Sequence, residues 1–127
     1  MLVLDTQAVL WTLDGSRRLG PLARRRIAES AAVHVSAATI FEVTIKSMLG
    51  KIKVPADIAE LLRVRGLINL PITNDDAHAV SEFPELVRHD PFDRLLVAQA
   101  FRTGMDLLTA DRVLLGLGRD FIVDATR

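Results

Sequence analysis

The chain has 127 residues, half of them apolar, and 16 Lys and Arg balance 16 Asp and Glu, so the formal net charge is zero. That length suits one domain with a single core, the apolar content excludes a disordered chain, and the balanced charge gives no whole-molecule field to draw in a polyanion. The lack of Cys excludes disulfides and thiolate zinc sites, and no stretch nears the roughly 18 apolar residues of a membrane span.

The start, "MLVLDTQAVLW", has neither the basic lead nor the long apolar run of a signal peptide, so a soluble cytoplasmic protein is expected. Its "LVL" (2–4) reads as a short buried strand, followed by a helix over 6–13. Gly20-Pro21 opens a second helix, 21–31, and "VHV" (33–35) is the next strand. Helices over 37–49 and 56–66 lead to "INLPI" (68–72), where Pro71 argues for an edge strand or an early strand end. A helix over 75–83 precedes one over 91–103, whose start "DP" supplies an N-cap, Asp90, and a Pro suited to the first helical position. "LLT" (107–109), a helix over 112–116 and "FIV" (121–123) complete the order. Near-continuous apolar strands alternating with helices indicate an α/β domain with a parallel sheet covered on both faces. With no repeat, low-complexity tract or linker, residues 1–127 read as one domain.

In an open parallel sheet, ligands bind beyond the carboxyl ends of the strands. Asp5 follows "LVL" and Asp111 follows "LLTA", so both belong to that rim, although each also suits an N-cap. Glu42 falls in the helix after "VHV"; it could simply pair with Lys46 at i+4, yet Ala38 and Ile45 share its face and suggest partial burial. Asp93 heads the apolar stripe Leu96, Val97 and Ala100, an odd place for a charge unless it is compensated. Four carboxylates on one rim repel one another and raise some of their pKa values unless a cation intervenes. An all-oxygen set favours Mg²⁺ or Mn²⁺ over Zn²⁺. Such a centre suits phosphodiester hydrolysis.

The segments "LVLDTQAVLW" (2–11), "SAATIFEVTIKSMLGKI" (36–52), "HDPFDRLLVAQA" (89–100) and "LLTADRVL" (107–114) resemble, in order and spacing, the PIN-domain ribonucleases, and among them the VapC-like toxins of toxin–antitoxin modules. The resemblance implies a three-layer α/β/α sandwich and a pocket binding Mg²⁺ or Mn²⁺. It carries the family's acids onto Asp5, Glu42, Asp93 and Asp111, and its hydroxyl-bearing supports onto Thr6 and Thr109. It further implies an RNA substrate cut to a 5′-phosphate and a 3′-hydroxyl, an antitoxin partner and a homodimer. The chain departs from the pattern in having Gln7 where many relatives carry His, and His89 then Asp90 where they carry Arg then Asp. Neither change removes a carboxylate.

RNA bound near four acids needs basic residues to offset repulsion. Lys46, Lys51, Lys53, Arg17, Arg18 and Arg94 are candidates, as is His89 beside the site motif; each is equally an ordinary solvated or ion-paired side chain. Trp11 and Phe41 could anchor an antitoxin segment or belong to the core. His34, in a strand, and His78, in a helix, are read as structural. The rival readings are a catalytically silent PIN domain that binds RNA or protein, and a phospho-acceptor receiver. The receiver lacks support because a single Asp5 follows the first strand and "FIVDATR" has no Lys.

Overall fold

A computed structural model describes residues 1–127. Five strands form one sheet: β1 (Leu2–Leu4), β2 (Val33–Ser36), β3 (Ile68–Leu70), β4 (Asp106–Thr109) and β5 (Ile122–Asp124). Their order is β3-β2-β1-β4-β5 and every pairing is parallel. The helices are α1 (Thr6–Asp14), α2 (Pro21–Glu29), α3 (Ala37–Met48), α4 (Ile58–Val64), α5 (Asn74–Ala79), α6 (Pro91–Thr103) and α7 (Arg112–Leu115).

Side chains alternate across the pleat, so each strand feeds two layers. Leu2, Leu4, Val33, Val35 and Leu108 join Val9 of α1, Ala23 of α2 and Leu62 of α4 on one face. Val3, Leu107 and Ile122 join Leu96, Val97 and Ala100 of α6 and Leu114 of α7 on the other. The α3 helix supplies both, Val43 to the first layer and Ala38 to the second. The expected α/β/α sandwich is therefore present. None of its helices is long and apolar enough to cross a membrane.

The chain builds outward from β1 through β2 to β3, then returns to place β4 on the other flank of β1. The direction of winding reverses there, between β1 and β4, and the carboxyl ends of those strands diverge into a crevice suited to a ligand. Asp5 and Asp111 stand just beyond them.

Two sequence expectations shift in detail, and one, the edge strand ending before Pro71, holds. The strand near the carboxyl terminus is displaced by one residue, to Ile122–Asp124. β3 is an edge strand that stops at Leu70, and the carbonyl of Pro71 accepts a bond from Gln99 Nε2 at 3.1 Å. The helix expected over 75–83 is instead Asn74–Ala79, followed by 3₁₀ turns at Val80–Glu82 and Pro84–Leu86. Pro84 drives Phe83 out of helical geometry, to φ −124° and ψ 67°. At the start of that helix, Thr73 and Asp76 form a reciprocal capping box, and Arg102 Nε donates to the buried Asp76 at 2.8 Å.

Candidate active site

The crevice between β1 and β4 holds a cavity of about 340 Å³ lined by Asp5, Thr6, Glu42, Lys46, Asp93 and Asp111, with Trp11 and Ile52 in its wall. All four acids singled out in the sequence thus reach one cleft, each from a different helix or cap.

Asp5 is 5% exposed and caps α1, its Oδ1 accepting from the Ala8 N–H at 2.7 Å. Its Oδ2 accepts from the Thr109 hydroxyl at 2.5 Å, a contact that ties β4 to β1. Burial raises the Asp5 pKa; bonds from Thr109 and the Ala8 and Ala110 N–H groups oppose that rise, and the charge of Asp111 adds to it. Thr109 also accepts from the Asp111 N–H at 3.0 Å, so one fully buried hydroxyl orients two of the acids.

Asp111 caps α7, its Oδ1 accepting from Val113 N–H at 2.8 Å and Leu114 N–H at 3.2 Å. Its Oδ2 faces His89 Nε2 at 3.3 Å. Both strand-end acids therefore do what the simpler reading asked of them, capping a helix with one oxygen while the other serves a second role.

Glu42, 7% exposed, is fixed at both oxygens. Thr6 donates to Oε1 at 2.6 Å and Lys46 Nζ donates to Oε2 at 2.6 Å. Thr6 also meets Thr39 Oγ1 at 3.1 Å. The pairing with Lys46 is real, and it lines the cleft, with Glu42 buried and the Lys46 side chain 44% exposed. The Glu42 hydrogen bond is the main cause that holds the Lys46 pKa above its usual value.

Asp93 lies in the first turn of α6, and Asp90 caps that helix through the Phe92 and Asp93 N–H groups at 2.8 and 3.3 Å. Burial, then the charges of Asp90, Asp111 and Asp5, push the Asp93 pKa from 3.8 to about 7, with His89 pulling the other way. His89 Nε2 is 3.1 Å from Asp93 Oδ2. Ligand atoms of His89, Asp93 and Asp111 fall within 4.8 Å of one another, close enough to hold one metal ion.

These groups fit a divalent cation. The donors are mostly hard oxygens, both oxygens of Asp93 and one of Asp111 are uncommitted to backbone, and an acid driven to about 7 is a carboxylate short of positive charge.

Sequence reasoning placed His89 only beside the site, as a possible phosphate contact. It immediately precedes the Asp90 cap of α6 and reaches Asp93, four residues on in the first helical turn. That geometry was a readable signal for the contact. The basic candidates divide: Lys46 lies in the cleft, Lys53 and Arg18 line an adjoining groove, and Lys51 is exposed past α3. Arg17 is exposed without lining either. Arg94 turns away, its Nη1 donating to the Val87 carbonyl at 3.3 Å and its buried Nε lacking a partner. Trp11 is half-buried in the cleft wall, whereas Phe41 is 61% exposed and stacks edge-on against Phe92 with centroids 5.6 Å apart. His34 is buried in β2, with Nδ1 3.2 Å from the Leu2 carbonyl, and His78 is exposed on α5.

A 3-2-1-4-5 parallel sheet with acids gathered at its switch point defines an acid-centred α/β/α domain. The PIN domain family model matches residues 2–119, and the chain belongs to the PIN-domain family. No curated protein matches it in sequence. Among solved structures, it is similar to VapBC2 from Rickettsia felis bound to a DNA fragment from their promoter, with TM-score 0.66, 13% identity, and 96% of this chain and 95% of that one covered. A toxin–antitoxin complex from Klebsiella pneumoniae gives TM-score 0.62 at 16% identity over 87% of each chain. DNA-bound VapBC from Salmonella typhimurium gives 0.59 at 20% identity over 97% of this chain and 94% of that one. At such identities the likeness is one of fold.

Proposed function

We propose that the protein is a divalent-metal-dependent endoribonuclease acting through Asp5, Glu42, Asp93 and Asp111, and that it is the toxin of a toxin–antitoxin pair. The observation that carries this reading is the convergence of four carboxylates from separate elements on one cleft, with Asp93 driven to about 7 by burial and its acidic neighbours.

Asp93 and Asp111 offer the least committed oxygens for Mg²⁺ or Mn²⁺, and Asp5 and Glu42 complete the shell directly or through water. When bound, such an ion supplies Lewis acidity, stabilising charge on a phosphoryl oxygen and making water a stronger acid. The chain's own residues fix the frame. Thr109 holds Asp5, Thr6 holds Glu42, and Lys46 keeps part of the cleft neutral.

The RNA strand enters along a groove of about 540 Å³ that shares Gln7, Leu10, Trp11 and Ile52 with the acid cleft. Arg18, Lys53 and Arg65 line it, and none of the three takes part in an ion pair. Cations beside the acid pocket hold the flanking phosphates, and the face of Trp11 suits a base.

The antitoxin reading draws on the toxin–antitoxin complexes that share the fold. Phe41, Met48 and Leu49 give α3 and its end an exposed apolar stripe, 61%, 82% and 64% accessible, of the kind that seats a partner helix. A homodimer belongs to the same proposal.

The test is incubation of purified protein with total cellular RNA in Mg²⁺, in Mn²⁺ and in EDTA, beside Asp5→Asn and Asp93→Asn. Asn at position 5 keeps the capping oxygen of Asp5 while removing its charge, and Asp93 caps no helix, so folding is preserved in both variants. Discrete fragments in metal alone, absent in both variants, support the reading. Folded protein that cuts under no condition would favour a silent binding module.

A further inference from the structure

His89 is the only imidazole that touches the acids of the cleft, and its position is more specific than that of a passing surface contact. Its Nε2 lies 3.1 Å from Asp93 Oδ2 and 3.3 Å from Asp111 Oδ2. The two oxygens come from separate elements, the first turn of α6 and the cap of α7. A ring nitrogen carries one hydrogen or one lone pair, so it bonds fully to only one of these oxygens: it is hydrogen-bonded to Asp93, while Asp111 Oδ2 faces it without a hydrogen bond.

The three ligand atoms, within 4.8 Å of one another, are close enough to share one cation. In octahedral coordination with bonds of about 2.1 Å, neighbouring ligand atoms are about 3 Å apart. Both His89 separations have that spacing, and Asp111 has already divided its labour, with Oδ1 on the α7 backbone and Oδ2 turned toward His89. His89 is also largely sheltered, its side chain 20% exposed.

We propose that His89 is a direct ligand of the divalent ion, joining Asp93 and Asp111 in a set of one nitrogen and two carboxylate oxygens. The inference rests on the cleft being a metal site. It gives that site a selectivity that four carboxylates alone would lack, because imidazole suits first-row transition ions whereas Mg²⁺ favours an all-oxygen shell. Of the two ions, Mn²⁺ therefore gains more from His89 than Mg²⁺ does.

The test uses the full chain with Mn²⁺ and Mg²⁺ as the probes. Mn²⁺ bound at one equivalent is examined by pulsed electron paramagnetic resonance for ¹⁴N modulation, and each ion is titrated calorimetrically into the unaltered protein, His89→Ala and His89→Gln, with circular dichroism checking the fold. Imidazole modulation is expected in the unaltered protein and lost in both variants. Mn²⁺ affinity should fall on the order of tenfold or more, and Mg²⁺ affinity by much less. Mn²⁺ that binds without nitrogen modulation overturns the ligand assignment and leaves the cleft a metal site; lower affinity without that signal means His89 only positions the carboxylates. Failure of the unaltered protein to bind Mn²⁺ at all overturns both the assignment and the metal reading. The nitrogen signal of the unaltered protein decides the matter even if a variant misfolds.

Discussion

Replacing Asp93 with Asn should make the metal-free protein more stable while disabling its site. The folded-state pKa of about 7 lies above the ordinary 3.8, so the folded chain retains a proton that the unfolded chain releases between those values. The stability contributed by the protonated group is complete below about pH 4 and is lost as pH rises through 7. At about 1.36 kcal/mol per pKa unit, that loss reaches about 4 kcal/mol as an upper limit. Partial solvent access and the forfeited His89 contact reduce the gain from Asn to about 1–3 kcal/mol, which for a domain of this size is roughly 3–10 °C in Tm. The assay is thermal unfolding in EDTA. Near pH 8 the variant should melt above the parent by that margin, and near pH 5, where the parent has taken up most of its proton, the gap should shrink by more than half. A variant no more stable than the parent near pH 8, or a gap that ignores pH, would refute the electrostatic account of the cleft.

The same pKa dictates the pH dependence of metal binding. Below pH 7 a proton competes for Asp93, so affinity for Mg²⁺ or Mn²⁺ should drop by about tenfold per pH unit at most, with proton release visible by calorimetry in buffers of different ionisation enthalpy. Thr109→Val leaves Asp5 Oδ2 and the Asp111 N–H without their shared hydroxyl; it should cost about 1–3 kcal/mol in chemical unfolding and weaken metal binding as well. Replacing Arg18, Lys53 and Arg65 together with Ala should weaken binding of single-stranded RNA, measured by fluorescence anisotropy on the Asp5→Asn background. The salt slope should flatten by up to about 0.7 per cation that meets a phosphate, and an unchanged slope would remove this groove from the RNA path.

Much of the site is readable because one physical rule links sequence to place. Asp5 and Asp111 follow short apolar runs, and in a parallel sheet that position is the ligand-binding rim. Glu42 and Asp93 are visible as charges sharing a helical face with apolar residues, a cost that calls for compensation. Strand order is not written in any local pattern, however, so the reversal between β1 and β4 that puts Asp5 beside Asp111 emerges only from the folded sheet. Lys46 could be paired with Glu42 from spacing alone, but nothing in an i, i+4 pair says that both line a cleft. The helix near residue 80 is lost to Pro84 and to packing of the buried Phe83, a tertiary effect that overrides helical periodicity. Arg94 shows the reverse difficulty: it adjoins Asp93 in sequence, yet one residue along a helix turns a side chain through about 100° and away from the site.

The central claim, that the acids hold a metal which acts on a phosphodiester, is tested most directly at the scissile linkage. An RNA oligonucleotide spanning a mapped cut would carry a single phosphorothioate there, with each stereoisomer assayed under single-turnover conditions in Mg²⁺ and in Mn²⁺. Mn²⁺ accepts sulfur more readily than Mg²⁺ does. The account predicts that one isomer is cut slowly in Mg²⁺, that Mn²⁺ restores its cleavage, and that Asp93→Asn cuts neither isomer in either metal. Equal sulfur sensitivity in both metals, or cleavage that survives in Asp93→Asn, would contradict it.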